Sequence, residues 1–215
     1  DLQNWVLKNA FRDVAELISG VLEVAHQVLS VLALLDKQQR GEVVRGSDHR
    51  KLREAADRFH RLSLADKLTW LSAQQNFNLT SEKVEEIISI NVARNCLGHR
   101  AGIVGDRDTT QDDKLVVKWL GLDMMIETDG IEVPLVPPMY VEKGGTAILR
   151  TVRRTKEFVR GELVSFDGKE FSEIAWTLFA FAQTVATSLE QVAKAHGITF
   201  QRGQPDQSAE GIETG

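Results

Sequence analysis

Residues 84–104 read VEEIISINVARNCLGHRAGIV. Val84, Ile87, Ile88, Val92 and Cys96 recur at three- and four-residue steps, the period of a helix with a single apolar face. Thr80 or Ser81 can cap its start, and Glu82 and Glu85 put negative charge in the first turns, where the helix macrodipole favours it. The pattern predicts a helix over 81–99. Its last turns are crowded with Arg94, Asn95, Gly98 and His99, with Gly102 just beyond. Residues four apart share a helix face, so Asn95 lies beneath His99, whereas Arg94 and His99 differ by about 140° around the axis. Arginine is long enough to reach toward the histidine's end of the helix. Gly98 removes bulk beside the pair, and Gly102 suits the left-handed turn that ends a helix. Two readings stay open: a helix terminus welcomes Arg and His for dipole reasons alone, or these are the reacting groups of an enzyme.

Outward from this segment the chain is mostly helical in pattern. From residue 2 to 37, Leu7, Phe11, Val14, Leu17, Ile18, Val21, Leu22, Val28, Leu29, Leu32 and Leu35 recur at helical steps, with Gly20 a candidate bend. The apolar stripe widens in the second half, and burial within a helical bundle, rather than a subunit contact, is the expected cover. VLEVAHQVLSVLALL (21–35) is interrupted by Glu23, His26, Gln27 and Ser30. It falls short of the roughly 20 apolar residues that span a bilayer. Further helices are expected over 48–61, over 64–75 with Ser63 as N-cap and Asp66 at the capping-box position, and over 172–196, ended by Gly197. Between the fourth and last helices the period changes. Residues 114–145 are rich in β-branched side chains, carry the turn pair Asp129–Gly130, and include Pro134, Pro137 and Pro138. They read as a hairpin with an edge strand or irregular return, and 146–166 supplies one or two more strands. The expected architecture is therefore mainly α, an antiparallel helical bundle in one domain (1–197). A small antiparallel β insertion (about 114–166) precedes the last helix. The polar tail 198–215 has little to bury and is expected to be disordered.

Composition narrows the function classes. The net charge of −5 does not describe a strongly basic nucleic-acid binder, so local basic stretches matter more than the total. The single cysteine, Cys96, excludes an intrachain disulfide and a Cys-rich zinc site, and makes a reducing, cytoplasmic setting the default. Cys96 itself, one turn from Val92, reads as a core thiol. The chain opens at Asp1 without an initiator methionine, as a trimmed or excised segment would, and no leader-type pattern precedes the first helix.

RNCLGHRAGIV, following LADKLTWL and VEEIISINV, resembles the HEPN superfamily (higher eukaryote and prokaryote nucleotide-binding domains). Its hallmark is an Arg, a polar residue often Asn, a few variable positions and a His. Arg94, Asn95 and His99 match that motif, and Gly102 matches the turn that commonly follows. The resemblance covers about residues 1–105 plus the final helix. It implies a HEPN-like bundle and a metal-independent endoribonuclease of the kind found among toxins and phage-defence effectors, with Arg94, Asn95 and His99 at the site. It also implies RNA as substrate, a homodimer that pairs two motifs in one cleft, and a neutralising antitoxin or regulatory protein as a further partner. No cofactor, metal or membrane enters. The residues suit that chemistry. The ribose 2′-hydroxyl is an internal nucleophile, a histidine can move its proton, and an arginine offers parallel donors to the charge growing on the phosphate.

Other features of the chain have plainer readings. Arg150, Arg153, Arg154, Lys156 and Arg160 stand against one glutamate in 150–161, and 37–61 holds eight Lys/Arg against four acids. Either stretch can hold an RNA backbone or simply face solvent. Asp106, Asp108, Asp112 and Asp113 lack EF-hand spacing and read as a solvated loop. Arg53 and His60 lie in a charged helical segment and read as a solvated face. Trp70, Trp119 and Trp176 read as core. A non-catalytic HEPN-like module binding a nucleotide or protein, and an unrelated helical regulator or dimerisation domain, are the competing functions.

Overall fold

The computed structural model describes residues 2–109, 112–135 and 144–199, with the side chains of residues 2–4 and 7 outside that description. Among them are five helices: α1 (Leu2–Gln39), α2 (Gly46–His60), α3 (Leu64–Ser72), α4 (Ser81–His99) and α5 (Gly168–Ala195). Three strands, β1 (Lys114–Thr128), β2 (Ile131–Pro134) and β3 (Thr146–Val159), form one antiparallel sheet in the order β2-β1-β3. The mainly helical bundle with a small antiparallel insertion before the last helix is as expected, and α4 has the expected bounds. Pro137, Pro138 and the tail from residue 200 lie outside the described residues.

The boundaries that moved did so for local chemical reasons. α5 begins at Gly168, four residues before the expected Ser172, because Asp167 caps it. Asp167 Oδ1 accepts the Glu170 N–H at 2.7 Å and Glu170 Oε2 accepts the Asp167 N–H at 2.8 Å, a capping box with Asp in place of Ser or Thr. α2 likewise starts at Gly46, with Asp48 Oδ2 accepting the Arg45 N–H at 2.9 Å. α3 ends at Ser72 instead of residue 75, and Asn76 soon takes a positive φ of 63°. Ser63 caps α3 as expected, accepting the Asp66 N–H at 3.2 Å. α1 runs unbroken through Gly20.

Asp129 and Gly130 both take positive φ (53° and 79°), the requirement of the two-residue hairpin turn that joins β1 to β2. β1 pairs with β3 from Lys114 opposite Val159 to Glu127 opposite Thr146, so 146–166 supplies one long strand. Alternate residues Leu115, Val117 and Trp119 are buried against the bundle while Lys118 faces solvent. Two β1 backbone donors find partners on helices. Lys118 N–H donates to Ser89 Oγ of α4 at 2.9 Å, and Leu120 N–H to Thr177 Oγ1 of α5 at 2.9 Å. Hydroxyls thus satisfy groups that an exposed strand would leave open. The chain leaving α4 is tied to the chain leaving β3: Val104 N–H donates to Glu162 O (3.0 Å) and Val164 N–H to Gly102 O (2.8 Å).

Leu22, Ala25, Leu29 and Leu32 of α1, Ile87, Ile90, Ala93 and Cys96 of α4, and Ile174, Leu178, Phe181 and Val185 of α5 belong to one core with Trp119 and Phe158. Three expectations are corrected. The widened stripe of α1 is covered on one side only, because the bundle lies there: Leu17, Val24, Val31 and Leu35 are exposed, Leu17 at 68%. By length and composition alone, the Lys8–Gln39 part of α1 is apolar enough to cross a membrane. Trp119 is core and Trp70 half-buried, but Trp176 is exposed and stacks loosely on exposed Phe179, ring centroids 5.6 Å apart. Asp108 is not solvated. It is buried, for the reason given next.

Candidate active site

α4 ends by a tight reversal. Arg100 and Gly102 N–H groups both donate to Cys96 O (3.1 and 3.0 Å), and Ala101 and Gly102 take positive φ (53° and 86°). A Cβ on Gly102 would lie 3.2 Å from Leu163 and 3.3 Å from Leu97, so both conformation and space call for glycine. The loop beyond is pinned by Asp108, whose side chain is fully buried. Arg100 donates to it through Nε (2.7 Å) and Nη2, and Gly105 N–H donates to it at 3.0 Å. The Asp108 hydrogen bond holds the Arg100 guanidinium above its ordinary pKa. The Cys96 thiol behind this turn is fully buried, and burial, helped by the Asp108 charge, pushes its pKa up.

On this scaffold Arg94 Nη1 donates to Asn95 Oδ1 at 3.1 Å. Its side chain is 23% exposed, and Nη2 lies 3.4 Å from Glu16 Oε2 on α1. Arg94 Nε is buried and has no acceptor among the described residues. The His99 imidazole is exposed at the helix end and has no hydrogen bond or ion pair among the described residues. The motif thus sets a partly exposed cation with unused donor capacity and an open imidazole on one helix end. Beside it, an apolar cavity is lined by Lys8, Phe11, Leu97, Ala101, Leu163, Val164, Phe166 and Phe171, and not by Arg94, Asn95 or His99. Glu16 is the neighbour that the sequence did not expose. It is far from the motif along the chain, and only the packing of α1 on α4 brings it there.

The five cations of 150–161 are each engaged by carboxylates other than Glu16. Arg150 pairs with Glu132 (2.8 Å), Arg154 with Glu173 and Asp123 (2.8 and 2.7 Å), and Lys156 with Glu170 (2.8 Å). Arg153 Nε lies 3.7 Å from Glu86 in the first half of α4, some 20 Å along the axis from His99 at 1.5 Å per residue. Arg160 alone sits by the loop after the motif, 2.8 Å from both Asp106 and Asp113. Burial pushes the Glu86 carboxyl up in pKa, with Arg153 and Lys83 partly offsetting it. Glu173, also buried, accepts Trp119 Nε1–H at 2.9 Å as well as Arg154. Gly121 leaves the space in which Arg154 lies, since a Cβ there would collide with the Arg154 chain.

Among the described residues no group of three or more His, Cys, Asp or Glu side chains is placed to hold a metal ion. No family model, curated protein or solved structure matches the chain.

Proposed function

We propose that the chain is a metal-independent endoribonuclease that cuts RNA by attack of a 2′-hydroxyl on the adjacent phosphate. The observation that carries the reading is the end of α4. Arg94, steadied by Asn95, is partly exposed and only loosely paired, and the exposed His99 imidazole stands on the same turns. A guanidinium of this kind offers parallel N–H groups to a phosphate and to the charge that grows on it. An imidazole moves a proton at the reacting oxygens, which typically accelerates such reactions by about 10²–10⁴-fold. The products are a 2′,3′-cyclic phosphate and a 5′-hydroxyl. In this reading the chain acts as a homodimer in the cytoplasm, as a toxin or phage-defence effector under a partner protein's control.

A non-catalytic binding module is the second reading, favoured by the contact of Arg94 with Glu16, which occupies part of the guanidinium. Incubation of the purified protein with mixed RNA in EDTA separates the two. Cutting that vanishes in Arg94→Ala and in His99→Ala, each with an unchanged circular dichroism spectrum, supports the nuclease. Full cutting by either variant rejects it. Mass measured in solution at micromolar concentration tests the dimer.

A further inference from the structure

We propose that Glu16 is a second proton-transferring group of the site, the base that takes the 2′-hydroxyl proton within the same protomer. This rests on the ribonuclease reading and deepens it: the attacking and the leaving oxygen each need a proton-transferring group, and within one protomer His99 is the one histidine of the motif, so a second group must come either from the partner's motif or from a nearby carboxylate. The geometry supplies a carboxylate where one is needed. Glu16 Oε2 lies 3.4 Å from Arg94 Nη2, and the Glu16 side chain is 64% exposed, so the approach from solvent is open. The contact is long for a charge-assisted hydrogen bond, and although Nε is buried the Arg94 side chain as a whole is 23% exposed. Arg94 is therefore not saturated by Glu16, and a phosphate can join the carboxylate on it.

α1 and α4 run antiparallel at this point. Glu16 lies level with Arg94, and the lower-numbered Lys8 and Phe11 line a cavity with the higher-numbered Leu97 and Ala101. His99 stands five residues past Arg94, about 7.5 Å further along α4. His99 is also about 140° around the axis from Arg94, so in this proposal a phosphodiester seated on Arg94 meets the carboxylate on the α1 side and reaches round the helix end to the imidazole. In the reaction the 2′-oxygen gives its proton to a Glu16 carboxylate oxygen as its electron pair forms the bond to phosphorus. The bond from phosphorus to the 5′-oxygen breaks, and that oxygen takes a proton from the imidazolium of His99. Glu16 ends protonated and His99 neutral, and water restores both.

The test is steady-state cleavage of a short RNA in EDTA by the full chain carrying Glu16→Gln, Glu16→Asp or, as the control, Asp13→Asn. Asp13 is a nearby exposed carboxylate on α1 that pairs with Arg12. Glu16→Gln is expected to lower kcat by about 10²–10³-fold with KM within threefold, Glu16→Asp to recover at least tenfold of the loss, and Asp13→Asn to change neither. Mixing Glu16→Gln with His99→Ala protein is expected to restore nothing, since each protomer then lacks one group. Cleavage by Glu16→Gln within threefold of the parent, or faster than it, overturns the assignment while the ribonuclease reading stands; in the faster case Glu16 merely masks Arg94. Recovery on mixing overturns the single-protomer placement. Absence of cutting that depends on Arg94 and His99 overturns both readings together.

Discussion

Arg94 and Arg100 leave the same helix end less than two turns apart, and their environments are opposite. Arg100 is held through two donors by the fully buried Asp108, which also takes the Gly105 N–H. The Asp108 carboxylate thus takes three donors from within the chain, and the result is a pinned loop. Arg94 has a neutral partner in Asn95, a long contact to the exposed Glu16 and a buried Nε with no acceptor among the described residues. A saturated cation is architecture, because any ligand must first break a pair. An under-paired one can accept an oxyanion at little cost. Arg154, fixed by Glu173 and Asp123, sits with Arg100 in this division, as do Arg150 and Lys156.

The contrast can be broken most strongly at Arg94 itself. Arg94→Ala is expected to cost at least about 10²–10³-fold in RNA cleavage while moving the urea unfolding free energy by no more than ~0.5 kcal/mol. A large stability loss would place Arg94 among the structural cations instead. Asp108→Ala should do the reverse. It strands Arg100 and the Gly105 N–H, and about 3 kcal/mol of stability is expected to go, read from the same urea titration. Gly102→Ala forces a side chain into φ 86° and against Leu163 and Leu97. A loss of roughly 1–2 kcal/mol is expected, with cleavage lowered because the turn carrying His99 shifts. The mildest effect belongs to His26, away from both arginines. It is buried and stacked on Phe59 with ring centroids 4.3 Å apart, and burial holds its pKa below the ordinary 6.5. Below pH 6.5 the unfolded chain binds a proton that folded His26 refuses, so stability falls as pH drops from 6.5 toward the folded value. His26→Leu is expected to flatten that part of the curve of unfolding midpoint against pH. An unchanged slope would assign it to other groups.

What could be read in the residues was what depends on near neighbours along the chain. The period of Val84, Ile87, Ile88 and Val92 placed α4, and Asp129–Gly130 placed the hairpin, because each is a local rule. Asp167, the cap of α5, was an equally local signal, although the helix was expected to start only at 172. What could not be read were long-range pairings. Nothing near Asp108 marks it as buried, since its partner is chosen by the reversal at Ala101 and Gly102. Basic residues in 150–161 looked available because their acids, Glu132, Glu170, Glu173 and Asp123, come from other elements. The covered side of α1 depends on where α5 and α4 lie, so Leu17 and Leu35 were counted in a stripe whose cover never reaches them.

The lone sulfur of Cys96 gives the site a built-in clock. It is sealed against the core directly behind Asn95, and no other thiol exists in the chain to compete with it. Alkylation by a small reagent requires the packing around the end of α4 to open. The rate of adduct formation in the native protein therefore counts those openings, and an RNA fragment seated on Arg94 should slow it.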